Sequence, residues 1–262
     1  MLDILNHRIK IIKAMLFHFP KTVLLRARVV AVILVLGIGQ PVTGYSAEIT
    51  PVTLEYRVKL EGIIADVTAG KIQTKIDRTE NGYSVSTLTK AQGMAATFLG
   101  TNIQESCEFK VDQDRAVPTS YAGGTINTQN YKVSYDWSNR KINFDDNESL
   151  DMPQGYVIDN CAMPFAISIL KGLAPGDEAI YVVDGKKRRI RGYTVQATEQ
   201  EKIETPIGEF QTTKMVLQRE FRPERTFTFW LSNDDQYLPV KMQEKRKSRT
   251  TTMLVRSMEF DG

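Results

Sequence analysis

The chain has 262 residues, 42% of them hydrophobic and 25% charged, a composition that indicates a folded globular protein and excludes a disordered one. The formal net charge of +3 is misleading, because the first 47 residues hold six of the 34 basic residues and one of the 31 acidic residues. The remaining chain has 28 basic and 30 acidic residues, a net charge near −2, so no nucleic-acid partner is predicted.

The amino-terminal segment has the order of a secretory signal peptide. Six basic residues are followed by an uncharged apolar run, 29–39, and then by small residues such as Ser46 and Ala47. We predict a signal peptide over 1–47 and a single β domain over 48–262, located in the periplasm of a Gram-negative envelope. An uncleaved membrane anchor is the alternative, but the apolar run is about half of the roughly 20 residues that span a bilayer.

Strand patterns dominate the rest of the chain. In Thr53–Glu61 the apolar residues Leu54, Tyr56 and Val58 alternate with polar ones, which is the period of a strand with one buried face. Asn81-Gly82 then indicates a hairpin turn. Further strands are predicted over residues 71–76, 83–88, 107–111, 117–121, 133–137, 141–144, 178–183, 187–198, 209–218, 225–231, 238–245 and 250–260.

Two segments differ from this pattern. A helix is predicted over residues 162–171, capped by Asp159 or Asn160, and a short helical turn over 93–99. The polar stretch 145–155 is predicted to be a loop. No alternating βαβ pattern occurs, which argues against a parallel nucleotide-binding sheet. The fold class is therefore mainly β: an antiparallel meander forming a curved or half-open barrel or sandwich with one short helix.

The distribution of histidine and cysteine restricts the chemistry. His7 and His18 both lie in the predicted signal peptide, so Ser–His–Asp, Cys–His and histidine-type zinc sites are excluded from the domain. We predict no catalytic residue, metal ligand or cofactor, and we expect a protein that is not an enzyme. Cys107 and Cys161 are predicted to form one disulfide closing a loop of about 54 residues, with two buried free thiols as the alternative.

Five aromatic positions on strands are candidates for lining a ligand cavity: Tyr56, Tyr83, Trp137, Phe227 and Phe229. A barrel of eight or more strands can enclose an apolar ligand. The alternative is that these side chains simply fill the core, and the sequence does not separate the two interpretations.

Two basic hairpins are candidates for contact with an anionic envelope component such as lipid head groups. Lys187, Arg189 and Arg191 mark the first hairpin, and Lys245 and Lys247 mark the second. The alternative is that these charges form solvated faces that prevent edge-to-edge aggregation of strands.

Two later motifs carry a family resemblance. TPIGEFQTTKM (Thr205–Met215) and TFWLSNDDQYLPVKM (Thr228–Met242) resemble the end of the bacterial domain-of-unknown-function 3108 family, and Tyr83–Gly100 resembles its second hairpin. The resemblance covers about residues 52–259. It implies an exported, periplasmic or surface-attached β-protein with an open or half-barrel sheet, similar to envelope lipoprotein carriers. The two cysteines are not part of the family pattern.

These observations favour a non-catalytic exported envelope protein that binds a lipid or another hydrophobic envelope component. A structural or protein-interaction module of the periplasm is the alternative. A carboxylate-dependent glycan enzyme is the least favoured interpretation, because no spacing singles out a pair of carboxylates. The sequence does not predict the oligomeric state.

Overall fold

A computed structural model describes residues 49–62, 67–92, 96, 102–125, 131–170, 173–234 and 236–261. The predicted signal peptide lies outside the described residues. So does the helical turn predicted for 93–99, apart from Ala96, which is helical. The described residues belong to one compact unit, and no helix among them is long and apolar enough to cross a membrane.

Among the described residues, fifteen strands form one continuous sheet. In chain order they are β1 Val52–Glu61, β2 Val67–Thr79, β3 Gly82–Ala91, β4 Asn102–Asp112, β5 Arg115–Thr125, β6 Tyr131–Asp136, β7 Lys141–Phe144, β8 Ser149–Asp151, β9 Tyr156–Asp159, β10 Ile180–Asp184, β11 Arg189–Thr205, β12 Gly208–Arg219, β13 Arg225–Ser232, β14 Pro239–Arg246 and β15 Arg249–Phe260. Their order across the sheet is β8-β7-β6-β5-β4-β3-β2-β1-β15-β14-β13-β12-β11-β10-β9. The predicted fold class is confirmed.

The first and last strands of the chain pair with each other in the middle of the sheet. β1 pairs antiparallel with β15, so Val52 lies opposite Phe260. The alternation predicted for β1 is observed, since Val52, Leu54, Tyr56 and Val58 are all buried. Because successive side chains point to opposite faces, one face of each strand forms the core.

The sheet contains one parallel pair that the sequence did not predict. β9 pairs parallel with β10, and the helix α1 (Met163–Ile169) lies between these strands in the chain. β9 was missed because all four of its residues are buried, which removes the alternation that identifies a half-buried strand. The edge strand β8 lies within the segment predicted to be a loop.

The two edges of the sheet lie close together, so the sheet is strongly curved. β8 and β9 are its outermost strands, yet only residues 152–155 separate them in the chain. The Tyr156 hydroxyl on β9 donates to the Ala116 carbonyl on β5 (3.0 Å) and accepts from its N–H (3.1 Å). These bonds hold one edge against the inner part of the sheet.

The helix α1 is packed into the core and is shorter than predicted. Met163, Phe165, Ala166, Ile167 and Ile169 are buried, as expected for a helix enclosed by a sheet. The N-cap is Ala162 rather than Asp159 or Asn160. The predicted C-terminal residue, Lys171, lies outside the described part of the chain.

Candidate functional site

The concave side of the sheet holds a cavity of about 450 Å³ next to the first turn of α1. This volume lies within the range of about 300–1,000 Å³ that is typical of small-molecule sites. Lys186, Lys187 and Arg246 line the cavity and are exposed, so the cavity opens to the surface beside them.

Apolar side chains from both halves of the sheet form much of the cavity wall. They are Tyr56, Ile72, Ile103, Met163, Phe165, Phe227, Phe229, Met242 and Met253. Four threonines on β2, β3 and β5 add hydroxyl groups to this wall: Thr74, Thr87, Thr89 and Thr125. A wall of this kind suits a hydrophobic or amphiphilic ligand, since apolar lining with a few polar groups is the usual composition of such sites.

One carboxylate oxygen in the wall accepts hydrogen bonds from two tyrosines. Glu105 Oε1 accepts the Tyr121 hydroxyl at 2.5 Å and the Tyr131 hydroxyl at 2.7 Å, and the two hydroxyls are 2.8 Å apart. Burial, together with the nearby Glu105 charge, raises the pKa of both tyrosines well above the usual range. Both phenols therefore remain protonated donors at physiological pH.

The turn before β11 closes over these tyrosines. A Cβ at Gly185 would lie 2.7 Å from the Tyr131 ring and 3.0 Å from the Tyr121 ring, so only glycine fits this approach. The next residues, Lys186 and Lys187, are held at the cavity opening because Asp184 Oδ1 accepts the Lys187 backbone N–H at 3.2 Å.

The segment Asp159–Phe165, here called the anchor segment, is fixed by a disulfide and a buried carboxylate. Cys161 is bonded to Cys107 on β4, with Cα atoms 6.0 Å apart, as predicted. Asp159 Oδ1 accepts the N–H groups of Cys161 (2.9 Å) and Ala162 (2.8 Å), and Oδ2 accepts the Tyr135 hydroxyl (3.3 Å). Burial raises the pKa of Asp159 to about 7, although these bonds oppose the shift. The two sulfurs near Asp159 are oxidised and are not metal ligands.

A group of arginines, here called the arginine cluster, lies on β11 to β14. Its members are Arg189, Arg191, Arg219, Arg225 and Arg246. Asp184 pairs with buried Arg191 and, at 3.6 Å, with Arg189. Glu244 pairs with Arg246 at 2.5 Å. Five positive charges therefore face two carboxylates.

The cluster is incompletely paired. Neither Arg219 nor Arg225 forms an ion pair within the described part of the chain. Among the described residues, three buried side-chain nitrogens have no hydrogen-bond partner, and all three are arginine Nε atoms: those of Arg189, Arg191 and Arg225. Burial and the neighbouring positive charges lower the pKa of Arg219. A small depression of about 10 Å³ lies among these side chains.

The predicted cavity residues divide into two groups. Tyr56, Phe227 and Phe229 line the cavity. Tyr83 and Trp137 do not line it: Tyr83 is buried against Phe109 with ring centroids 5.6 Å apart, and Trp137 stacks on Tyr135 while its indole N–H donates to the Pro118 carbonyl.

The predicted basic residues divide in the same way. Lys187 and Arg191 line the cavity, and Arg189 lies beside them against Asp184. Lys245 and Lys247 are exposed at the end of the β14–β15 hairpin and do not line it. The sequence analysis missed Arg219 and Arg225. Arg225 could have been found, because it shares the strand face of the cavity candidates Phe227 and Phe229.

Two hairpin ends next to the cavity opening form a surface that we call the hairpin tip. It consists of Phe221 and Arg222 between β12 and β13, with Lys245 and Lys247 on the adjacent hairpin. The Lys247 N–H donates to the Glu224 carbonyl at 3.2 Å, which holds the two ends together. Phe221 is 99% exposed, so the hairpin tip combines an unburied aromatic ring with positive charges.

The geometry defines a mainly β protein of the half-open barrel type, with a cavity on its concave side. The chain belongs to the DUF3108 family, described as "Protein of unknown function (DUF3108)", whose sequence profile matches residues 55–255. The resemblance noted in the sequence is thereby confirmed. No curated protein matches the chain.

The solved structures matched to this chain have very different sequences. A β-barrel-like protein of domain of unknown function DUF1849 from Brucella abortus has a TM-score of 0.54 and 9% identity, covering 82% of this chain and 100% of that one. A candidate lipoprotein from Parabacteroides distasonis has a TM-score of 0.34 and 11% identity, covering 82% and 97%. The first comparison supports the fold, and the second is too distant to support an argument.

Proposed function

We propose that this protein is a non-catalytic envelope protein that binds one lipid or other hydrophobic component in its concave cavity. The observation that carries the proposal is the cavity of about 450 Å³ with its largely apolar wall. Desolvation of an apolar chain against this wall would supply the binding free energy, at about 25 cal/mol per Å² of apolar surface removed from water. Binding of this kind would sequester or transfer a component that is poorly soluble in the periplasm.

The polar groups of the cavity support binding rather than catalysis. Glu105 accepts two tyrosine hydroxyls, Asp184 is paired with arginine, and Glu244 is paired with Arg246. Each of these carboxylates is held by a donor within the protein, which favours a structural role over that of a general base. The domain after residue 47 also contains no histidine.

The hairpin tip supports an anionic lipid surface as the place of exchange. Phe221 can enter the interface between head groups and acyl chains, while Arg222, Lys245 and Lys247 contact anionic head groups. Because the hairpin tip lies next to the cavity opening, docking would present that opening to the membrane. The proposed location is therefore the periplasmic side of the cell envelope.

The proposal is tested by filling the cavity with a side chain. Ile72→Trp places an indole in the cavity wall, and Gln73→Trp places the same group on the exposed face of β2. Binding of the neutral fluorescent probe 1-N-phenylnaphthylamine is titrated for both variants and for the wild type. We expect Ile72→Trp to lose at least tenfold in probe affinity and Gln73→Trp to bind as the wild type does.

Thermal unfolding of both variants checks that each is folded under the assay conditions. The proposal fails if the wild type does not bind the probe. It fails equally if folded Ile72→Trp and Gln73→Trp bind it with the same affinity, because the probe then occupies some other surface.

A further inference from the structure

We propose that the ligand is an anionic amphiphile whose phosphate-monoester or carboxylate head group is bound by the arginine cluster while its chain occupies the cavity. This inference rests on the proposed function and adds the chemical class of the ligand. It depends on three observations: the excess of positive charge, the unpaired donors and the continuity of the cluster with the apolar wall.

The arginine cluster carries more positive charge than its paired carboxylates neutralise. The five arginines face only Asp184 and Glu244 as paired carboxylates. A bound anion would offset the mutual repulsion of these charges, which is strongest where water is partly excluded. An arginine remains positively charged at any physiological pH, so the cluster cannot relieve the repulsion by losing protons.

The unpaired hydrogen-bond donors of the cluster also favour a bound anion. Arg191 is 8% exposed, and its Nε, like those of Arg189 and Arg225, has no hydrogen-bond partner within the described residues. Leaving a buried donor unsatisfied is costly, and most buried polar groups in native proteins are paired. A guanidinium group can bind two oxygens of a carboxylate or a phosphate through two parallel hydrogen bonds.

The cluster is continuous with the apolar wall. Arg191, Phe227, Glu244 and Arg246 line both the cavity and the small depression that also contains Arg219 and Arg225. Arg225 lies opposite Arg246 in the β13–β14 ladder, and Phe227 is the next residue on the same face of β13. A ligand chain lying against Phe227 therefore ends within reach of the cluster.

The depression restricts the head group to a small one. Its volume of about 10 Å³ is close to the roughly 10–15 Å³ needed to hold one water molecule. A phosphate or carboxylate oxygen fits this space. A quaternary ammonium head group would bring a further positive charge to the arginines, so a zwitterionic choline lipid should bind less tightly.

The test compares lipids that share a chain and differ in charge. Oleoyl lysophosphatidic acid, oleate and oleoyl lysophosphatidylcholine are titrated below their micelle concentrations, with inorganic phosphate as the head group alone. We expect the two anionic lipids to bind at least tenfold more tightly than lysophosphatidylcholine. Inorganic phosphate should bind much more weakly than either, because it lacks the chain.

The residues are tested with a charge-matched control. Arg219→Gln/Arg225→Gln removes two charges from the cluster, and Lys59→Gln/Lys110→Gln removes two from exposed positions of β1 and β4 that line neither the cavity nor the depression. We expect the cluster variant to lose about tenfold in lysophosphatidic acid affinity and to keep its lysophosphatidylcholine affinity, which also shows that it is folded. The control variant should retain the affinity of the wild type for both lipids.

The outcomes separate this inference from the proposed function. Equal affinity of the wild type for anionic and zwitterionic lipids overturns the inference and leaves the proposed function standing. Inorganic phosphate binding as tightly as lysophosphatidic acid overturns it too, since the chain then contributes nothing. Failure of every lipid to bind overturns both.

Discussion

The anchor segment and the arginine cluster border the same cavity, but they differ in whether their buried polar groups have hydrogen-bond partners. In the anchor segment the buried carboxylate of Asp159 accepts three hydrogen bonds, and Cys161 is covalently tied to β4. In the arginine cluster, buried guanidinium nitrogens have no partner in the described structure. The polar groups of the first border are paired, whereas the second border has donors that the proposed ligand would satisfy.

Under the proposed function, this contrast keeps one border of the cavity rigid and leaves the other able to bind a ligand. Fully paired buried groups specify one structure, and partly paired groups reduce stability but can be satisfied by a ligand. Substitutions in the anchor segment should therefore change stability, and substitutions in the cluster should change binding.

The largest effect is expected from removal of the disulfide. The double variant Cys107→Ala/Cys161→Ala should lose about 4 kcal/mol in free energy of unfolding, because a loop of 54 residues becomes unconstrained in the unfolded chain. Urea denaturation of the oxidised wild type and the variant measures the difference. A loss below about 1 kcal/mol would show that the disulfide does not hold the anchor segment.

The second effect concerns Asp159 and depends on pH. Its pKa is about 7 in the folded protein, against an ordinary value of 3.8 for an aspartate exposed to water, so the folded state retains this proton between those pH values. The stability contributed by the protonated form is therefore present below about pH 4 and is lost as pH rises to about 7.

Asp159→Asn keeps an oxygen that can accept the two backbone N–H groups and carries no charge at any pH. The stability of the variant minus that of the wild type should rise by about 4 kcal/mol between pH 4 and pH 8. Denaturation curves across this range measure the difference. A difference that stays constant with pH would show that Asp159 is ionised throughout.

A smaller effect is expected in the cluster. Arg225→Gln removes a charge that has no ion-pair partner in the described structure, so the free energy of unfolding should change by less than about 1 kcal/mol. Urea denaturation without lipid checks this value, with Arg222→Gln as the control at the exposed hairpin tip. A loss above about 2 kcal/mol would mean that Arg225 supports the fold rather than a ligand.

The smallest effect on stability is expected at the hairpin tip. Phe221 is almost fully exposed, so Phe221→Ser should change the free energy of unfolding by less than about 0.5 kcal/mol. Its binding to vesicles containing phosphatidylglycerol should fall about tenfold, because an apolar side chain no longer enters the interface. Sedimentation with vesicles, compared with vesicles of phosphatidylcholine alone, measures this change. Unchanged sedimentation would remove Phe221 from the proposed docking surface.

The sequence predicted the parts of the fold that follow local rules. The alternation in β1 and the Asn81-Gly82 turn identified strands and a hairpin that the structure contains. β9 was not predicted, because its four buried residues give no period, and its parallel pairing with β10 depends on where α1 packs. The pairing of Cys107 with Cys161 was predicted because the domain has two cysteines.

The candidate site was also predicted only in part, because sequence patterns show the arrangement within one strand and not the position of that strand in the sheet. Phe227 and Phe229 lie on one face of one strand, and their shared exposure to the cavity follows from the strand period. Arg191 and Arg225 lie on strands that are not neighbours, so the pleat of one strand cannot show that both border the same depression. Only the register of the whole sheet brings them together.

The central claim is that the concave cavity carries a hydrophobic component in the cell. The most direct measurement is detergent-free native mass spectrometry of the protein from a periplasmic extract, for the wild type, Ile72→Trp and Gln73→Trp. We expect a mass excess that disappears on organic extraction, present in the wild type and Gln73→Trp and absent in Ile72→Trp. A mass equal to the bare, disulfide-bonded polypeptide in all three would contradict the claim.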